Sequence, residues 1–157
     1  MKGQRIFPGI ILIGFGLYFF LERSQIHIFT GFYTWPTLFC IVGLAFLIQA
    51  YYGKDVHAIL PGVILFGFGV HFHLVQLIEA WPSHFGIFIL IISIGFILQA
   101  RKTKSGMFYG VTLCILAIFI LFYDKVTSLL SLTQNVVNFW PFVLMAFGVY
   151  VLFFRKK

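Results

Sequence analysis

Acidic residues are scarce in this chain. Glu22, Asp55, Glu79 and Asp124 are the only four in 157 residues, and charged residues of both signs make up 10%. A soluble domain carries about 25% charged residues. A chain this poor in charge cannot cover an apolar core with a polar surface, so an ordinary water-soluble globule is excluded and lipid is the expected solvent. The four acids lie at the ends of apolar runs or between them. Ionisable groups inside a bilayer mark ion pathways and proton relays, and without a carboxylate there a proton-coupled carrier or intramembrane protease is not expected.

Other shortages exclude other classes. There are two cysteines, Cys40 and Cys114, with no CxxC and no Cys/His group at zinc spacing. Both read as small core residues. No phosphate loop, dinucleotide fingerprint or nucleophile motif occurs, so no enzyme activity and no cofactor is expected. Ser93 and Thr112 read as local hydrogen-bonding residues within or between helices. Alternating strands are missing, which argues against a membrane β-barrel.

Apolar runs fill what remains. The chain is 61% hydrophobic, with a mean hydropathy of +1.04. Six segments stand out, at about 6–21, 35–51, 58–77, 84–100, 106–123 and 139–154. Spanning backbone must satisfy its own hydrogen bonds, so the expected fold is an all-α integral membrane protein with six transmembrane helices. A run of about 16 residues makes a helix of roughly 24 Å, short of a hydrocarbon core of about 30 Å. Local thinning of the bilayer, or an extra turn, is expected. The first run follows Lys2 and Arg5 as a signal peptide would, but Leu21-Glu22-Arg23-Ser24 offers no small-residue cleavage site; it reads as a retained helix.

The connections Tyr51 to His57 and Arg101 to Ser105 are short enough for tight turns. Glu22 to Thr34, carrying Ile26, Ile28, Phe29, Phe32 and Tyr33, is expected on the membrane surface. Val126 to Asn138 sets Val126, Leu129, Leu130, Val136 and Val137 against polar neighbours, the pattern of a short interfacial helix.

The net charge is +7. The basic residues cluster at the ends of apolar runs instead of forming a basic helix face, so nucleic acid is not an expected partner. Lys2, Arg5, Lys54, Arg101, Lys102, Lys104, Arg155, Lys156 and Lys157 fall on one side, and only Arg23 and Lys125 on the other. The positive-inside rule then predicts an even number of spans, both termini cytoplasmic, in a cell membrane. Arg101, Lys102, Lys104, Arg155, Lys156 and Lys157 form a cytoplasmic basic face, suited to anionic lipids or a cytoplasmic protein partner.

The chain also repeats itself. Pro8-Gly9-Ile10-Ile11-Leu12-Ile13-Gly14-Phe15-Gly16-Leu17 matches Pro61-Gly62-Val63-Ile64-Leu65-Phe66-Gly67-Phe68-Gly69-Val70 at seven of ten positions. Trp-Pro then recurs as Trp35-Pro36, Trp81-Pro82 and Trp140-Pro141, each expected to open a helix at the membrane interface. Gly43 and Gly148 each follow their tryptophan by eight residues, and Gln49-Ala50 and Gln99-Ala100 close the second and fourth segments. In the third copy Ser105-Gly106 replaces Pro-Gly. The reading is a single membrane domain of three parallel hairpins, about 6–51, 58–100 and 106–154. Gly14, Gly16, Gly67, Gly69, Gly106 and Gly110 are the expected close-packing positions, within the chain or between copies in a homo-oligomer.

A helix of the form Pro-Gly-(apolar)-Gly followed by one of the form Trp-Pro-(apolar)-Gly resembles the LiaI/LiaF-like transmembrane family of bacterial cell-envelope stress proteins. The resemblance covers nearly the whole chain in three copies. LiaF-like members are membrane regulators of a sensor kinase, and LiaI-like members recruit a phage-shock-type coat protein. The chain departs from the first in having no soluble domain expected after Lys157, and from the second in having three hairpins. The resemblance supplies no catalytic residues.

Histidine is the remaining chemistry. His71 and His73 lie in the outer half of the third segment, Glu79 follows, and His84 begins the fourth. These are the candidate metal ligands. Residues i and i+2 of a helix point about 200° apart, so packing or hydrogen bonding is the expectation and a metal site is not. The function that results is a non-enzymatic membrane scaffold or regulator, linked to envelope stress or to recruitment of a partner. The alternative is a small transporter or channel for an uncharged or lipid-like solute, with Gln49, His71, His73 and Gln99 as its polar groups.

Overall fold

The structure is a computed structural model that describes residues 5–130 and Met145, with side chains through Tyr123 and at Met145. Five α-helices follow one another through residue 130: α1 (Ile6–Arg23), α2 (Trp35–Tyr52), α3 (Ile59–Leu77), α4 (Phe85–Thr103) and α5 (Met107–Leu130). A 3-10 turn, Val56–Ala58, precedes α3. No strand occurs among the described residues. The chain divides into two compact units, Met1–Leu121 and Phe122–Lys157. Apart from Met145, the expected sixth segment and the residues around it, with Trp140, Pro141, Arg155, Lys156 and Lys157, lie outside the described residues.

Among the described residues, four helices are long and apolar enough to cross a membrane: α1, α2, α3 with its leading turn, and α4. They have 18 or 19 residues each, about 27–29 Å at 1.5 Å per residue. That nearly removes the shortfall expected from the sequence, because α1, α2 and α4 run one to three residues past the ends of their apolar runs. The described apolar part of α5, Met107–Tyr123, is shorter. The helix itself continues to Leu130. Residues Val126–Leu130 therefore extend α5 and do not start a separate interfacial helix. No glycine or proline stands between Val111 and Leu130 to stop it; residues 131–138 lie outside the described part.

Consecutive helices pack side by side. The seam between α2 and α3 is the tightest. A Cβ at Gly43 would lie 2.3 Å from the backbone nitrogen of Phe66, and one at Gly69 would lie 2.6 Å from the carbonyl oxygen of Pro36. Two helix backbones can come this close only where no side chain stands between them. At one end of this seam Ala50, Ala58 and Ile59 form a small core, with Phe46, Val56, Val63 and Leu98 against it.

The two ends of the bundle differ. At the basic end α2 stops at Tyr52 and α4 at Thr103, and each chain reversal contains a lysine in the left-handed region, Lys54 (φ 58°) and Lys104 (φ 57°). At the aromatic end, the connection from Ser24 to Thr34 folds back onto the helices. Phe32 and Tyr33 pack on Tyr18, and Phe29 meets the His73 ring edge-on at 5.2 Å. Ile26 and Ile28 remain uncovered.

Two positions depart from the sequence expectation. Trp35-Pro36 does occupy the first two positions of α2. Trp81-Pro82 opens nothing: α4 starts at Phe85, with His84 as its N-cap accepting a bond from the Gly86 N–H at 3.3 Å. Trp81 instead closes a turn, its N–H bonded to the Ile78 carbonyl at 2.9 Å. Gly106 lies in the turn ahead of α5 at φ +83°, and a Cβ there would meet only Tyr109 at 4.0 Å. Its use is conformational, since a left-handed residue costs a side-chain-bearing amino acid roughly 1 kcal/mol.

These contacts rank the glycines. Gly43→Ala is expected to lower unfolding stability by about 1–3 kcal/mol through overpacking. Gly16→Ala, where a Cβ would meet nothing within 4 Å, is expected to be neutral or to stabilise by up to about 1 kcal/mol through helix propensity. Unfolding of both variants in mild detergent checks this, and equal loss in the two would refute the assignment of the α2–α3 seam.

Candidate functional site

The contacts at the helix seams recur along the chain. Gly14 of α1 faces Ile41 of α2, where a Cβ would lie 2.5 Å from the Ile41 Cγ2. Gly67 of α3 faces Ile91 of α4 with the same 2.5 Å. Gly62 of α3 lies over Leu47 of α2 at 3.0 Å, and Gly110 of α5 lies over the Ile97 nitrogen of α4 at 2.9 Å. Where α2 has Gly43, α4 has Ser93, fifty positions on. Ser93 is fully buried and donates its hydroxyl to the Gly110 carbonyl at 3.0 Å. Near the aromatic end, Gly69 of α3 meets the Pro36 carbonyl, and Gly86 of α4 meets the Ala117 carbonyl of α5 at 3.3 Å. Between Trp35 and Ala50, and between Phe85 and Ala100, the order of buried and uncovered positions is identical.

One helix face breaks this pattern. On α3 the residues Gly62, Phe66 and Gly69 pack against α2. The corresponding residues of α1 are Gly9, Ile13 and Gly16. A Cβ at Gly9 or Gly16 would meet nothing within 4 Å, and Ile13 is 72% exposed. Gly14, expected to pack alongside Gly16, points to α2 instead, so the two glycines serve opposite sides of α1. Leu12, Leu17 and Phe20 are likewise uncovered. Between α1 and α2 lies an apolar cavity of about 310 Å3, lined in part by Gly14, Tyr18, Thr37, Cys40 and Ile41.

The histidines go to separate partners. His71 is 3% exposed; its Nδ1 accepts from the Trp81 indole N–H at 3.0 Å, and its ring lies edge-on to Phe88 at 4.9 Å. His73 meets Thr37 of α2, Nε2 to Oγ1, at 2.9 Å. The Thr37 hydroxyl also bonds the Phe32 carbonyl. A carbonyl only accepts, so the single hydroxyl proton goes to Phe32 and His73 must donate from Nε2. In a neutral ring Nδ1 is then a bare lone pair, and it is buried without a hydrogen-bond partner. Glu79 is exposed and His84 caps α4. Among the described residues no three His, Cys, Asp or Glu side chains come together to hold a metal ion.

At the basic end, Gln49 ties three segments together. Its Oε1 accepts from the Phe7 N–H of α1 at 3.2 Å, and its Nε2 donates to Asp55 Oδ2 at 3.0 Å. Asp55 Oδ1 in turn accepts from the His57 N–H at 3.1 Å. Gln99, its counterpart fifty residues on, lines a recess with Thr103, Ser105 and Tyr109. Arg101, Lys102 and Lys104 stand exposed at this end, and the Lys102 Nζ lies 5.6 Å from the centre of the Tyr51 ring. Sequence reasoning did not identify Thr37, Trp81 and Gln49 as bonding residues. Only the fifty-residue spacing of Gln49-Ala50 and Gln99-Ala100 hinted that α2 and α4 share a register.

The His73 geometry is directly testable. Nitrogen-15 NMR of labelled protein in detergent is expected to show a neutral His73 protonated at Nε2, and Thr37→Val to change that signal. A proton on Nδ1 would contradict the bond to Thr37.

Comparison with known proteins points the same way as the fold. No solved structure matches this chain. Over its full length it is similar to the uncharacterized membrane protein YsxD of Bacillus subtilis (strain 168), at 27% identity, with 98% of that protein covered. Residues 6–47 match the model of the LiaI-LiaF-like transmembrane region. That stretch is α1, the aromatic connection and α2 as far as Leu47. The full-length likeness is to a membrane protein, and the family match is seated on the α1–α2 pair.

Proposed function

We propose that this protein is a non-enzymatic membrane scaffold or regulator that takes a transmembrane helix of a partner membrane protein against α1. The reading includes three tandem hairpins, six spans and cytoplasmic termini. The observation that carries it is the Gly9–Ile13–Gly16 face. Its counterpart on α3, Gly62–Phe66–Gly69, is covered by α2, and a face of this kind is where helices in lipid make their closest contacts. A helix of the α2 type, with a small residue where Gly43 stands, fits it. The link to envelope stress rests on the LiaI-LiaF-like match, which falls on the helix pair that carries this face.

A photocrosslinking residue in place of Ile13, introduced into the full chain in native membranes, tests this. A discrete protein adduct is expected, and Gly16→Leu should abolish it without lowering unfolding stability. An adduct of twice the chain's own mass would make the partner a second copy. The absence of any protein adduct, or an adduct that survives Gly16→Leu, would refute the docking role.

Passage of an uncharged or lipid-like solute is the second reading, favoured by the apolar cavity beside α1. It predicts solute uptake into sealed liposomes containing the purified protein. Vesicles as tight as protein-free ones across a panel of such solutes would eliminate it.

A further inference from the structure

A second candidate site lies at the basic end, away from α1. Ala50, Tyr51, Lys54, Val56, Ile59 and Lys102 line a recess of about 210 Å3. Its composition is two-sided. Ala50 and Ile59 are buried, and Ile59 is 2% exposed, so the interior is apolar. Lys54, Tyr51 and Lys102 are exposed. They come from two different helix ends: Tyr51 and Lys54 from the close of α2 and the turn after it, and Lys102 from the last turn of α4.

Two ammonium groups on one recess repel each other, so something must favour both. The carbonyl ends of α2 and α4 supply part of the attraction, since cations are stabilised at helix C-termini. That accounts for a lysine at each helix end. It does not account for two of them on one recess whose floor is apolar. Asp55, next to Lys54 in the sequence, directs its carboxylate to the Gln49 amide and the His57 N–H. Lys102 is oriented over the Tyr51 ring, and Lys54 is held in a left-handed backbone conformation at φ 58°. The recess is smaller than the roughly 300–1,000 Å3 clefts that hold drug-sized ligands, which suits a compact anionic group.

We infer that this recess binds the phosphate of an anionic phospholipid headgroup, with Lys54 and Lys102 as the cationic ligands and the Tyr51 hydroxyl as a further donor. The apolar floor favours a lipid over a soluble anion. The recess also sits at the ends of membrane-crossing helices, the level at which headgroups lie. The inference rests on the membrane location and not on helix docking at α1, so loss of the Ile13 adduct would leave it standing.

The test uses the full chain in a zwitterionic detergent, followed by thermal unfolding. Short-chain phosphatidylglycerol is expected to raise the unfolding midpoint, and phosphatidylcholine of the same chain length is not. The double variant K54Q/K102Q should weaken the phosphatidylglycerol response by about thirtyfold in concentration, at roughly fivefold for each lysine near an anionic surface. The double variant R5Q/R23Q is the control: it removes the same two charges at exposed arginines that do not line the recess, and it should leave the response intact. Equal weakening by R5Q/R23Q, or an equal effect of phosphatidylcholine, would overturn the site. Inorganic phosphate acting at the same concentrations as phosphatidylglycerol would overturn the lipid as the source of the anion. The unliganded midpoints of both variants show whether either has lost its fold.

Discussion

The distance of closest approach between α2 and α3 governs much of this structure. Lipid does not drive apolar helices together as water does, so their association relies on van der Waals contact and hydrogen bonds between helices. Gly43, Gly62 and Gly69 provide that contact by letting one backbone lie on the other. Once the seam is closed, other pairs fall into register. Thr37 comes opposite His73 at the aromatic end, and Ala50 meets Ala58 and Ile59 at the basic end. Both groups of residues depend on an approach that a single methyl group would obstruct.

The corresponding seam two helices on, between α4 and α5, achieves the same result with different chemistry. Between α4 and α5, the serine standing where α2 has a glycine bonds across to a backbone carbonyl. Such interhelical bonds contribute modestly in membranes, on average about 0.6 kcal/mol. A hydroxyl that reaches a carbonyl therefore takes the place of backbone contact without changing which helices are neighbours. The two seams preserve a geometry more than a set of residue types, which is why the likeness between them is easier to see in the contacts than in the letters.

The helices themselves were legible in the sequence, because apolar runs bounded by Pro, Trp, Gly and basic residues mark them directly. The four runs from 6 to 100 became α1 to α4 with ends shifted by only a few residues. The direction in which each glycine points was not legible. In water a buried face is marked by its contrast with polar neighbours, but in lipid both faces are apolar and the contrast disappears. Gly14 and Gly16 are two residues apart and look equivalent as letters, yet one meets Ile41 and the other meets nothing. Gly106 and Gly110 form a GxxxG on paper, but a turn claims the first and a helix seam the second. Trp81 was misplaced for a similar reason: Trp-Pro signals an interface, and the indole proton found its acceptor on the preceding helix before the next helix began.

The uncovered side of α1 has a consequence that depends on the solvent. A stacked-repeat protein in water needs an atypical terminal unit, because an exposed repeat interface there would be an apolar surface facing water. A bilayer imposes no such requirement, since acyl chains wet an apolar helix face as readily as another helix does. The first helix can thus keep the surface features of an interior one, including the glycines that permit close contact. A helix in lipid can therefore leave a glycine-bearing face uncovered without any polar cap.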